Sequence, residues 1–122
     1  MTVLGDGPCS AGEAARRTGL TVDTLRYYER VGLVPPPARD RAGHRIYTDE
    51  DLVWIGMVGC LRSAGLGISD LREFRTRLDD RAGADDLTSF LTAHRAELLA
   101  RRARLDAALA VLDEKIAHYG PG

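Results

Sequence analysis

Several things are scarce in this chain. Its 122 residues include two cysteines, Cys9 and Cys60, one lysine, Lys115, and one tryptophan, Trp54. Two well-separated cysteines do not build a disulfide framework. There is no Cys-x-x-Cys pair and no Cys/His cluster, so neither a preassembled zinc site nor any other metal or cofactor is expected. No apolar run approaches the roughly 20 residues that cross a membrane. Residues 1–8 lack the basic and apolar regions of a signal peptide. These absences predict a cytoplasmic protein with no membrane contact. No paired nucleophile and base, phosphate loop or metal cluster stands out, so an enzyme is the least expected class. Internal repeats and low-complexity segments are also missing.

Charge is nearly balanced, at −1 overall, which by itself argues against a nucleic-acid binder. Its distribution argues the other way. Residues 14–47 hold seven arginines (16, 17, 26, 30, 39, 41 and 45) against Asp23, Glu29 and Asp40, a local +4. The remainder therefore carries −5. Such asymmetry marks 14–47 as the candidate phosphate-facing surface. The excess of arginine over lysine along the whole chain is what a GC-rich genome gives and is not itself a signal.

The local signals predict a mainly α protein. Residues 1–9, with Gly5, Asp6, Gly7 and Pro8, read as a disordered tail that contains Cys9. Ser10-Ala-Gly-Glu13 fits a capping box, with Ser10 bonding the Glu13 amide and Glu13 reaching back. The helix it opens runs to about Thr18 and ends at Gly19. Thr21 caps a second helix from Val22 to Val31, ended by Gly32. Two short helices joined by a glycine-containing turn make a helix-turn-helix candidate. Its inner face is Ala14, Ala15, Leu20, Val22, Leu25 and Val31. Pro35-Pro-Pro37 then extends the chain. A turn at Asp40–Gly43 and alternation over His44–Tyr47 predict a small hairpin, a wing. Thr48–Asp51 caps a third helix, with Leu52, Ile55 and Val58 (or Gly59) on one side, that stops at Gly65. Ile68–Leu78 forms a fourth, with Ile68, Leu71, Phe74 and Leu78 on one stripe. Asp79–Gly83 reads as a hinge.

Asp85 to Tyr119 contains neither Pro nor Gly. Those residues make one helix of about 52 Å at about 1.5 Å each. Leu105, Leu109, Leu112, Ile116 and Tyr119 step 4-3-4-3, a coiled-coil spacing. Upstream, Leu87, Leu91, His94 and Leu98 step 4-3-4. The two registers meet through Arg102 as at a stutter. A long helix with one apolar stripe needs a partner chain to cover it. The predicted organisation is a tail over 1–9, a DNA-binding domain over 10–80 and a dimerisation helix over 84–119. Its dimer contacts are Leu98, Leu105, Leu109, Leu112, Ile116 and Tyr119. Only Gly120-Pro-Gly122 follows, so no separate effector domain is expected.

Ser10–Gly19, Thr24-Leu-Arg-Tyr-Tyr-Glu29, Gly32-Leu-Val-Pro35, Arg45-Ile-Tyr47 and Asp51-Leu52 together resemble the MerR family of transcriptional regulators. The resemblance spans essentially the whole chain. It implies a winged helix-turn-helix DNA-binding domain, two short helices and a long C-terminal helix forming an antiparallel coiled coil. It also implies a homodimer that binds a pseudo-palindrome in promoter DNA. Members bend and untwist an overlong spacer, which acts on RNA polymerase indirectly through the promoter.

The second helix of a helix-turn-helix lies in the major groove with its N-terminal residues towards base edges. Arg26 suits guanine or phosphate, and the tyrosine hydroxyls suit phosphates. By resemblance Thr24, Arg26, Tyr27 and Tyr28 face DNA. Arg16 on the first helix and Arg41, Arg45 and Tyr47 of the wing complete the expected contacts. The family commonly has Tyr where this chain has His44, so no contact is assigned there.

Cys60 carries two readings. A free cysteine is ordinarily a small buried hydrophobe. However, Cys60-Leu-Arg-Ser-Ala-Gly65 and Val111–Tyr119 are similar to the AdhR/NmlR-like branch of the family, which senses aldehydes and nitrosative stress. That similarity implies a sensor thiol reactive towards a small electrophile. The cysteines with which family metal sensors bind their ions have no counterpart in 82–88 or 118–122, so metal sensing by that route is not expected. Rival functions are a regulator that binds an apolar drug or small ligand near the dimer interface, and an effector-independent DNA-binding protein.

Overall fold

A computed structural model of the chain describes residues 7–121. It falls into two units, Met1–Asp80 and Arg81–Gly122. The first holds α1 (Ala11–Thr18), α2 (Val22–Arg30), β1 (Ala38–Arg39), β2 (Arg45–Ile46), α3 (Asp49–Ser63) and α4 (Ile68–Asp79). The second is one helix, α5 (Ala84–Tyr119). The architecture is mainly helical with a two-stranded wing, as the sequence pattern predicts.

Local chemistry sets the helix boundaries. Ser10 Oγ accepts the Glu13 amide at 3.2 Å, Thr21 Oγ1 the Thr24 amide at 3.0 Å, and Thr48 Oγ1 the Asp51 amide at 3.1 Å. Only Thr48 forms the full reciprocal box, with Asp51 accepting the Thr48 amide at 3.0 Å. At the first helix the expected return contact does not form. Glu13 turns forward to Arg16 and Arg17, because two guanidinium groups outcompete one amide. Gly19 ends α1 at φ 75°, a left-handed geometry that costs glycine least.

The core of the first unit is Ala14, Leu25, Tyr28, Leu33, Val34, Tyr47, Leu52, Trp54, Ile55, Val58, Leu66, Leu71 and Phe74. Each large aliphatic among them contributes about 1.5–3 kcal/mol by leaving water. Of the predicted inner face, Ala14 and Leu25 are buried, while Ala15, Leu20, Val22 and Val31 are half-buried. Leu78, expected on the stripe of α4, is exposed at the end of its helix. The turn of the helix-turn-helix lies against α3 at Gly59, where a Cβ would meet the Leu20 Cδ atoms at 3.4 Å, an ordinary van der Waals contact. Trp54 joins the layers. Its Nε1 donates to the Leu33 carbonyl at 3.0 Å, its ring stacks on Phe74 at 6.2 Å, and Arg75 lies 5.1 Å from the ring centre.

The tail reading needs one correction. Cys9 exchanges two backbone hydrogen bonds with Tyr47, at 2.9 and 2.8 Å, and so extends the edge of the wing. The unpaired strand edge at Tyr47 supplies the donor and acceptor that order it. Residues 1–6 of the expected tail lie outside the described residues.

α5 is uninterrupted over 36 residues. Leu105, Leu109, Leu112, Ile116 and Tyr119 are all exposed, from 56% to 79%. Leu98 is half-buried. No helix among the described residues is long and apolar enough to cross a membrane.

Candidate nucleic-acid interface

The wing is built by its turn. Asp40 Oδ1 accepts the amides of Ala42 and His44, each at 2.9 Å, and its own amide donates to the His44 carbonyl at 2.9 Å. These amide donors hold the Asp40 carboxyl below its usual range. Antiparallel pairing then sets Ala38 against Ile46 and Arg39 against Arg45. Arg39 Nη1 donates to the Gly43 carbonyl at 2.6 Å, which lays its guanidinium across the turn.

One bond ties the wing to α2. Arg45 Nε donates to Glu29 Oε1 at 2.8 Å, and the carboxylate raises the arginine's pKa further. Arg45 is thus half-buried and its Nε faces the protein. Glu29 engages one nitrogen of the guanidinium, and Arg45 also lines the groove where α1, α2 and the wing meet.

The two tyrosines of α2 part company. Tyr27 is 38% exposed, with the Arg30 guanidinium 5.5 Å from its ring centre. Tyr28 is 7% exposed and Tyr47 2%. Burial also pushes the Tyr47 phenol up. Both rings belong to the core, so only their hydroxyls are left for a contact with phosphate. Consecutive residues of a helix point about 100° apart, so only one of an adjacent pair can lie squarely outward. Thr24 is half-buried and its hydroxyl accepts from Thr21 Oγ1 at 2.9 Å, inside the cap network. Arg26 and Arg41 are exposed. Arg16 is exposed too, paired with Glu13.

The structure gathers a different set than the sequence predicts. Ser10, Ala11, Gly12, Arg26, Arg39, Gly43, His44 and Arg45 line a groove of about 300 Å³ where α1, α2 and the wing meet. Three arginines and no carboxylate face it. Arg39 and His44 escaped assignment as contacts. The signal for Arg39 was its place between the proline run and the turn, which a paired strand would explain.

Cys60 is exposed, which removes the reading of a buried hydrophobe. It lines an open groove of about 500 Å³ with Arg17, Thr18, Leu20, Gly56, Gly59 and Ser63. Five residues past buried Ile55, it lies about 140° around the helix, away from the core. Cys9 differs: burial pushes its thiol up.

The sequence signature of the MerR HTH family of regulatory proteins matches residues 9–78. The chain is 52% identical to the HTH-type transcriptional regulator AdhR of Bacillus subtilis over 64 residues. That alignment covers 52% of this chain and 46% of AdhR, so it spans less than half of the relative. HiNmlR, described as a MerR family regulator lacking the sensor domain and bound to promoter DNA, superposes with a TM-score of 0.79 at 30% identity. There 92% of this chain and 90% of that one are covered. A MerR family transcriptional regulator from Bacillus thuringiensis gives 0.81 at 26% identity, covering 92% and 99%.

Proposed function

We propose that this chain, which belongs to the MerR family of helix-turn-helix regulatory proteins, binds a pseudo-palindromic promoter operator as a homodimer and distorts its spacer in response to a signal. Residues 10–80 serve as the DNA-binding domain, and residues 84–119 pair two copies through an antiparallel coiled coil. RNA polymerase responds through the reshaped promoter. The carrying observation is the groove where α1, α2 and the wing meet, lined by Arg26, Arg39 and Arg45 and by no carboxylate. The likeness to HiNmlR, whose structure holds promoter DNA, supports it. Arg26, Tyr27 and Arg41 are the exposed contacts, Arg16 a flanking one, and Arg45 holds the wing in place. Footprinting of the protein on its own promoter region tests the reading. A protected, two-fold symmetric site over an overlong promoter spacer is the expected result; protection that follows no sequence counts against it.

The exposure of Cys60 favours a second element, a thiol response to a small electrophile. The 52% identity to AdhR over the shared segment supports it. An aldehyde or thiol oxidant should modify Cys60 and change promoter output, and Cys60→Ser should lose the response. If Cys60→Ser responds like wild type, the sensor reading of Cys60 fails.

A further inference from the structure

We propose that Trp54 is a positioning residue for DNA reading: it ties the C-terminal end of α2 to the last turns of α4, so that the reading helix and the start of the second unit respond to one another. The proposal rests on the DNA-binding reading above. It adds a route by which a change in the second unit reaches the helix that carries Arg26.

The route starts at the end of α2. Past Gly32, the Leu33 and Val34 amides both donate to the Tyr28 carbonyl, at 2.9 and 3.1 Å, which folds the chain back onto the helix. Leu33 is fully buried, so its carbonyl needs a donor from within the protein. Trp54 Nε1 supplies it at 3.0 Å, from 21 residues away in sequence. Leucine or phenylalanine at this position would fill space without making that bond.

The face of the ring meets α4. Phe74 stacks on it, with centroids 6.2 Å apart and planes 17° apart. The Arg75 guanidinium carbon lies 5.1 Å from its centre. Arg75 Nε in turn lies 3.1 Å from Oδ1 of Asp79, the last residue of α4. Two residues on, Arg81 opens the second unit with a φ of 58°, and it is the one left-handed residue other than glycine among the described residues. That region is unfavourable for a residue with a Cβ, so the joint at Arg81 is a place where the backbone can change state. Contiguous rings, a buried hydrogen bond and an ion pair thus lead from the joint to the reading helix, and such contacts carry coupling between sites. The exposed Arg75–Asp79 pair is the weakest link and the place to cut.

Trp54 is the only tryptophan in the chain, so protein made with isotope-labelled tryptophan shows a single indole N–H resonance. Asp79→Ala removes the exposed partner of Arg75 and should keep the unfolding midpoint. It should nevertheless shift both the indole resonance and the amide resonance of Leu33. Binding of the duplex protected in the footprint should shift the indole resonance of wild-type protein as well. Trp54→Phe keeps a ring beside Phe74 and drops the bond to the Leu33 carbonyl. It should bind that duplex about threefold or more weakly, under conditions where it is fully folded. Ile55→Val, a core change on the same helix, controls for lost stability and should bind as wild type does. Wild-type affinity in folded Trp54→Phe, or an indole resonance moved by neither the duplex nor Asp79→Ala, overturns the tie. If wild-type protein binds no duplex, the DNA-binding reading fails, and the Asp79→Ala shifts alone decide whether the tie stands.

Discussion

Arg45 and Glu29 join the wing to the second helix through a 2.8 Å bond from Nε to Oε1, sixteen residues apart in sequence. Both side chains are largely covered, at 25% and 19% exposure. Glu29 touches the wing from the same helix that carries Arg26, so the pair fixes the wing's angle to the reading helix. Glu29→Gln keeps an acceptor and should retain duplex affinity. Glu29→Ala leaves the guanidinium unpartnered and should weaken binding. Its salt slope should stay unchanged, because Glu29 neutralises no phosphate. A changed slope in an affinity titration of Glu29→Ala would move Arg45 back to a direct phosphate contact.

Tyr27 and Tyr28 should separate function from stability. Tyr28→Ala removes a core ring and should cost about 3 kcal/mol or more in urea unfolding. Tyr27→Ala loses an exposed ring and the contact with Arg30, a change of about 1 kcal/mol or less. It should instead reduce operator affinity. Equal stability losses in the two variants would contradict the burial difference.

The adjacency of these tyrosines shows what the sequence could and could not yield. Caps at Ser10, Thr21 and Thr48 and the stop at Gly19 depend on neighbours within four residues, so they were readable. The order of elements followed from the same signals and from hydrophobic period. Which of two adjacent tyrosines turns inward depends on what packs above the helix, as does the burial of Tyr47. The Arg45–Glu29 bond and the pairing of Cys9 with Tyr47 join segments far apart in the chain, and no local pattern encodes them. Cys60 was the exception: its angle from Ile55 on the helix already pointed outward, but the usual burial of free cysteine pulled the other way.

Acid should loosen the wing before the rest of the first unit. The Asp40 carboxyl titrates below its ordinary value of 3.8, chiefly because the His44 amide, and then the Ala42 amide, donate to the charged form. With the folded pKa lowered, the carboxylate's stabilising contribution is fully present above about 4 and is lost as pH falls through the folded value. The amide resonances of Ala42 and His44 should therefore shift together in acid, and Asp40→Asn should abolish that titration. Independent titrations of the two amides would break the link to one carboxylate.

The central claim is that two heads must be joined for DNA to be read. One head offers a local +4 on an acidic body, and phosphate neutralisation sets much of the affinity. Leu105, Leu109, Leu112 and Ile116 present an exposed stripe on α5 that pairing of two copies would cover. The most direct measurement is sedimentation of wild-type protein and of Leu109→Asp/Leu112→Asp, each alone and with operator duplex. Wild type should sediment as a dimer and place two chains on each site. The double variant should be monomeric, keep a folded DNA-binding domain and lose tight binding. A double variant that still sediments as a dimer on the duplex with wild-type affinity would contradict the account.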